Sequence, residues 1–332
     1  GGAPDMLNTE THHTFEIQEF RRPEFEVKAR NESGGPYFVD GQALFAVQAS
    51  YYSGGPLTDA DATWEVDGTP TNYTPPHWPD FTFGAWEPWW VYCHDELDED
   101  DYDEESDNEQ SYTGKTDPTG THYLQVNFSP EGDPAIPPAP QLVKAEATVM
   151  DVNRQAWTDT AIVLVHPASL YIGLRSERYF VEKNTPLKIE YVVTDLEGNA
   201  IADSLVEMTA ARLEWRTHSG EWQEEAVDFQ TCLQKSTTQP GLCIFETAIG
   251  GKYQITAVVT DPSGRKNQTS FTRWVSGGRV RPSHKVEHEN LTLIPDKQIY
   301  QPGDTAHILV QTPFSPAEGL LTVSRSGMLY TT

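Results

Sequence analysis

Tyr253, Ile255, Ala257 and Val259 are apolar at every second position, and mostly polar residues stand between them. The same period of two runs through Leu187-Ile189-Tyr191-Val193 and Leu124-Val126-Phe128. Successive side chains of a strand point to opposite faces, so this spacing specifies strands with one buried face. No long segment carries the 3.6-residue period of an amphipathic helix. Turn chemistry separates the runs, at Ser53-Gly54-Gly55-Pro56, Glu197-Gly198-Asn199 and Asp261-Pro262-Ser263-Gly264. Gly and Pro together number 48 in 332 residues, and aromatic residues reach 11% although apolar residues are only 37%. These features predict an all-β protein built of antiparallel β-sandwiches.

One local pattern recurs. An aromatic residue, a turn about three positions on, a strand, a turn and a second strand follow one another from Phe38, from Phe180 and from Tyr300. The repeat length is that of a sandwich of about 100 residues once an insertion in the first copy is set aside. The expected organisation is a sandwich over 12–166 carrying an aromatic and acidic insertion at about 75–115, a second sandwich over 167–278, and a linker with the first strands of a truncated third unit over 279–332. His166-Pro167-Ala168 reads as the short linker between the first two.

The insertion has two parts. Pro75 to Trp90 contains His77, Trp78, Phe81, Phe83, Trp86, Trp89 and Trp90 among prolines that forbid a regular helix. Its tryptophans are expected to pack on the first sandwich; the rival reading is a sugar-stacking platform of Trp86, Trp89 and Trp90. Asp95 to Glu109 then holds 11 acidic residues in 15. Such a block repels itself and reads as a solvated excursion. Weak calcium binding is its functional rival, but the D-x-[DN]-x-[DN]-G loop is absent. The formal charge of −27 excludes the basic face that nucleic acid requires and argues against an anionic membrane surface. No apolar run reaches the roughly 18 residues of a spanning helix.

Cys232 and Cys243 lie eleven positions apart around Gln239-Pro240-Gly241, and a disulfide is expected there in an oxidising compartment, against the alternative of two reduced thiols in one loop. Cys93 has no evident partner. His12-His13 stands near the start of the sequence, and His284 and His288 are four apart in a charged stretch. Neither pair makes a metal motif. No G-x-S-x-G, H-E-x-x-H, G-x-G-x-x-G or P-loop occurs, so no catalytic, cofactor or metal residue is assigned. Five N-x-[ST] sequons, at Asn31, Asn72, Asn127, Asn267 and Asn290, would carry glycans only in a eukaryotic secretory pathway.

Three strings resemble the α2-macroglobulin family of bacteria. Phe15 to Val27 resembles the opening strand of a macroglobulin-type sandwich, and Tyr51-Tyr52-Ser53-Gly54-Gly55-Pro56-Leu57 its first hairpin. Asp296-Lys297-Gln298-Ile299-Tyr300-Gln301-Pro302-Gly303-Asp304-Thr305-Ala306 resembles the D-K-x-x-Y-x-P-G-x-x-A opening of a later macroglobulin domain and is the most specific of the three. The resemblance implies tandem macroglobulin-like sandwiches, of immunoglobulin and fibronectin-III type. They would be scaffold in an extracytoplasmic inhibitor that traps a protease after bait cleavage. The partners it implies are target proteases, through the full-length parent, and neighbouring macroglobulin domains. It implies no enzyme activity, no cofactor and no membrane insertion of this segment. Many members carry a Cys-Gly-Glu-Gln thioester. None is present here: Cys93 precedes His94, Cys232 precedes Leu233 and Cys243 precedes Ile244. No bait segment is identified, although the third unit resembles the region in which the family places it. The competing readings are a non-inhibitory adhesin or stalk of similar sandwiches, and the carbohydrate-binding module named above.

Overall fold

The computed structural model describes residues 24–86, 88, 110–129, 136–218, 221–278, 291–312, 318–324 and 328–331. The acidic block Asp95–Glu109, Trp89, Trp90, Cys93, His12, His13, His284, His288 and Asn290 lie outside the described residues.

Every regular element described is a strand. The first eight are β1 (Phe25–Asn31), β2 (Tyr37–Phe38), β3 (Gln42–Tyr51), β4 (Asp61–Pro70), β5 (Gln110–Lys115), β6 (Thr121–Asn127), β7 (Gln141–Met150) and β8 (Ala156–His166). They form a three-stranded sheet, β1-β3-β6, and a five-stranded sheet, β2-β8-β7-β4-β5. Ladders are antiparallel except β2 with β8. The inward faces close on one core, in which Phe45, Val47, Trp64, Ala145, Val149 and Val165 are fully buried.

The next eight strands repeat this plan. They are β9 (Tyr171–Arg175), β10 (Phe180–Val181), β11 (Leu187–Thr194), β12 (Leu205–His218), β13 (Glu221–Lys235), β14 (Gly241–Phe245), β15 (Gly251–Thr260) and β16 (Lys266–Val275). The sheets are β9-β11-β14 and β10-β16-β15-β12-β13, again with one parallel pair, β10 with β16. Ile172, Ile189, Val206, Met208 and Ile255 lie at the centre of the second core. Two sandwiches in tandem thus share one strand order. The third unit begins the same way: β17 (Thr292–Pro295) pairs antiparallel with β18 (Ile308–Gln311), as β1 pairs with β3 and β9 with β11. Two short strands, β19 (Thr322–Ser324) and β20 (Met328–Thr331), follow.

The alternation seen in the sequence follows the burial. In β15 the odd residues Tyr253 to Val259 are buried and the even ones face outward. The recurrent aromatic-and-turn pattern has a backbone reason: Asp40, Asn184 and Gly303 all sit at positive φ in the turn before the second long strand of their unit. Hairpin turns are closed by aspartates. Asp117, Asp151 and Asp261 each accept backbone N–H groups two and four residues on, and Asp195 accepts that of Asn199.

The limits of the insertion differ from the expected ones. The chain leaves the sheet after Pro70, and Gln110–Lys115 is a strand paired with β4 rather than the end of the insertion. Its sequence QSYTGK has little apolar content because β5 is an edge strand with few buried side chains. The short linker His166-Pro167-Ala168 is buried at both ends: His166 is 6% exposed and Ala168 is fully buried.

The two sandwiches close their far seams differently. In the second, Cys232 of β13 and Cys243 of β14 are joined in a disulfide that ties the edge strands of the two sheets. In the first, the indole N–H of buried Trp64 donates to His122 Nδ1 at 3.0 Å, and burial lowers the pKa of His122, favouring the neutral form that can accept. His122 stands over Gly114, where a Cβ would lie 2.0 Å from its Nε2. Gly114→Ala should therefore displace His122 and strand the Trp64 N–H, lowering unfolding free energy by about 2 kcal/mol in urea titrations. Removing the disulfide as the Cys232→Ala, Cys243→Ala pair frees an 11-residue closure and should cost about 3 kcal/mol by the same measurement.

Candidate functional site: the seam between the sandwiches

The residues that follow β4 form an arm, 71–86, that crosses from the first sandwich to the second. Its prolines keep it out of the β4 ladder. Thr71 N–H still donates to Pro140 O of the first sandwich. From there each aromatic residue finds its partner on the second. Tyr73 OH donates to Leu196 O at 2.7 Å, and Trp78 Nε1–H donates to Gly198 O at 2.9 Å. Phe81 and Phe83 are buried against Tyr171 and Val192. At the arm's end Trp86 stacks on Tyr179, with ring centroids 5.5 Å apart. The expectation that this run packs on the first sandwich is thus corrected for its described residues. The second sandwich has an open flank for them to cover.

That flank is the outer edge of β9. Gly173 pairs with β11, so the peptide groups of Ile172 and Leu174 point away from the sheet and need other partners. Leu174 exchanges both of its backbone hydrogen bonds with Thr82 of the arm, at 2.8 and 2.9 Å. Ile172 N–H donates to Asn267 Oδ1 at 3.0 Å, and Ile172 O accepts from Thr269 Oγ1 at 2.5 Å. Thr269 Oγ1 also accepts Gly84 N–H, and Ser270 of β16 bonds both Gly84 O and Trp86 N–H. The arm therefore laces β9 to β16, from opposite sheets of the sandwich. Gly173 and Gly198 are glycines for this reason. A Cβ on Gly173 would lie 2.5 Å from Phe83 Cζ, and one on Gly198 would lie 2.1 Å from Pro76 O.

Below the arm the sandwiches meet directly. Asp261 sits at the β15–β16 turn with a fully buried side chain. Its Oδ2 accepts Ser169 N–H, Ser169 Oγ–H and the Arg265 guanidinium. The guanidinium lies 3.8 Å above the Phe38 ring of the first sandwich. Beside it, His166 Nδ1 and Tyr171 OH share a 2.8 Å hydrogen bond, with the Tyr73 ring 4.8 Å from the imidazole. Burial lowers the pKa of His166 and raises that of Tyr171, so both are neutral at pH 7. For Asp261 burial acts upward, but the bonds from Ser169 and Arg265 outweigh it and hold the carboxyl at about 2.

The third unit leans on the same side. Ile294 packs against Trp274, and Tyr179 N–H donates to Asp296 O. Asp296 Oδ1 accepts Tyr300 OH at 2.7 Å and His307 N–H at 3.0 Å. Burial works against this carboxylate, but these bonds keep its pKa below the usual value. The Asp and Tyr of the D-K-x-x-Y-x-P-G string are thus hydrogen-bonded to each other, and its Gly303 takes φ +98° in the turn.

Of the residues singled out from sequence, Cys232 and Cys243 come together, and Trp86 packs against protein. Asn267 of the fourth sequon is 2% exposed and serves the seam through its amide. Among the described residues no cluster of three His, Cys, Asp or Glu could hold a metal ion, and no helix is long and apolar enough to cross a membrane. The seam residues Tyr73, Phe83, Gly173 and Asp261 were not assigned roles. The signal for the last was present in the D-x-x-G-x spacing repeated at Asp117, Asp195 and Asp261.

No family model matches the chain. It is 23% identical over 324 residues to an α2-macroglobulin homologue of Nostoc sp., a match that covers 95% of this chain and 16% of that protein. Nearly the whole chain is thus similar in sequence to part of an α2-macroglobulin homologue. The chain is also 29% identical over 203 residues to circularly permutated Ras protein 2 of Dictyostelium discoideum, covering 58% of the chain and 5% of that protein. Among solved structures, trypsin-activated α2-macroglobulin from Escherichia coli is similar at 18% identity, with a TM-score of 0.49 and coverage of 93% of this chain and 21% of that one. The segment therefore spans less than a fifth of the curated relatives it matches. Its two complete units are β-sandwiches of mostly antiparallel sheets.

Two outcomes test the seam. Gly173→Ala drives Phe83 off β9, so chymotrypsin should cut after Phe81 or Phe83 at least about tenfold faster than in the parent sequence, corresponding to about 1.4 kcal/mol of local opening. Asp261 has a lower pKa folded than unfolded, so the folded state binds fewer protons between about pH 2 and 4. Its contribution of about 2 kcal/mol is present above pH 4 and lost as pH falls to 2. The stability difference between the wild type and Asp261→Asn should shrink across that window in pH-dependent melting curves.

Proposed function

We propose that this segment is rigid scaffold in an extracytoplasmic protease trap of the α2-macroglobulin type, and that it has no catalytic role of its own. The observation that carries the reading is the sequence match to the Nostoc homologue across 95% of the chain. The seam supports the scaffold role within it. A trap that works by rearrangement needs parts that move and parts that keep their shape. Here a 16-residue arm, a buried junction and a shared aromatic cluster weld two sandwiches into one body, and the third unit docks on its flank. Such a body transmits displacement without absorbing it. The Cys232–Cys243 disulfide supports an oxidising compartment outside the cytoplasm. No cysteine of this chain stands in a thioester sequence, so covalent capture would come from elsewhere in the parent.

The test compares this segment with its full-length parent. The segment alone should leave a broad-specificity protease fully active on both a large protein substrate and a small peptide. The parent should block cleavage of the large substrate and spare the small one, because caging excludes by size. Equal loss of both activities, or inhibition by the segment alone, would overturn the reading.

A further inference from the structure

Among the described residues, Arg273 is the buried guanidinium whose place in the seam the scaffold role does not explain. It is 4% exposed, on the last turnward stretch of β16. Its Nη1 donates to Thr272 O at 2.7 Å, while its Nε has no hydrogen-bond partner. The Phe271, Trp86 and Tyr179 rings lie 3.7, 5.1 and 5.2 Å from its central carbon. Ring faces attract the cation, but they do not neutralise it, and among the described residues it forms no ion pair with a carboxylate. Burial pulls its pKa down to about 9, which leaves it charged at pH 7.

The same side chain lines a cleft of about 660 Å³ where the arm, the second sandwich and the third unit meet. The walls are Phe81, Trp86 and Tyr179, with Arg175 and Lys297 at the sides. Arg175 is already held by Glu190 at 2.5 Å, and Lys297 faces Asp304 at 3.7 Å. Asp80 and Glu177 are the acids on the lining, and Asp80 lies 4.0 Å from Arg175, so Arg273 is the lining cation that has no carboxylate partner among the described residues. This is an aromatic-walled recess with one buried, unpaired guanidinium at its wall.

We infer that this cleft is a binding site for a carboxylate carried on a flat apolar body, with Arg273 as the charge that receives it and the Trp86 and Tyr179 rings as the surface that packs the body. A charged group of this kind supplies the missing counter-ion, and aromatic walls reward an apolar ligand over a hydrated one. The site spans three structural units, so an occupant would also bind them to one another.

The probe is benzoate, titrated into the full chain by calorimetry, with acetate and inorganic phosphate as comparisons. Benzoate should bind saturably and at least about tenfold more tightly than acetate, equivalent to about 1.4 kcal/mol, and phosphate should not compete. Arg273→Met should abolish binding. Because that change touches the core, Ile299→Trp at the mouth, where Ile299 is 74% exposed, provides a second variant that leaves the core intact and should weaken binding by obstruction. No saturable binding of benzoate, equal binding of phosphate, or unchanged affinity in the Ile299→Trp protein would each overturn the assignment.

Discussion

The outer edge of β9 sets the terms for the rest of the molecule. A sheet edge exposes peptide groups that must be hydrogen-bonded, and an unprotected edge invites pairing with other chains. At Ile172 the partners are side chains of β16, Asn267 and Thr269; at Leu174 the partner is the backbone of Thr82. Because Thr82 belongs to the insertion of the first sandwich, the second sandwich completes its edge only with material from its neighbour. The first unit shows the same device in simpler form, with Ala29 N–H of β1 bonded to Asp159 of β8. Asp159 and Thr269 stand at the same distance beyond the turn aspartates Asp151 and Asp261, so one seam position serves both units.

From this edge the energetics follow outward. Once Thr82 is fixed, Phe81 and Phe83 are carried onto Tyr171 and Val192, a burial of about 2–3 kcal/mol for each ring. Once Trp86 is fixed, it closes over Tyr179 and Arg273 and forms part of the ground on which Ile294 rests. The disulfide closes the opposite flank, so the second sandwich is stapled covalently on one side and laced non-covalently on the other. Across the junction, the Arg265 guanidinium over the Phe38 ring and the His166–Tyr171 hydrogen bond tie the two sandwiches together.

Much of the architecture was legible because it is written in local periodicity. Alternation in β11 and β15 depends on neighbours along the chain, and so does the aromatic residue followed by a left-handed turn residue at Asp40, Asn184 and Gly303. The arm was legible only as a segment that could be neither helix nor ladder strand. Nothing in Pro75 to Trp86 says which surface it meets, because its partners Gly173, Leu196, Gly198 and Ser270 lie about 90 to 200 residues downstream. The edge strand β5 escaped notice for the opposite reason: with little to bury, it carries no apolar alternation. Asn267 shows how a motif misleads when read without burial, since its sequon amide is a seam ligand for Ile172.

The central claim is that the arm makes the two sandwiches one cooperative body. Differential scanning calorimetry on the chain and on a Phe81→Ala, Phe83→Ala variant tests it most directly. The account predicts a single transition spanning both sandwiches in the unmodified chain, which separates into two in the variant as the second sandwich melts early. Two independent transitions in the unmodified chain, or one unchanged transition in the variant, would contradict it.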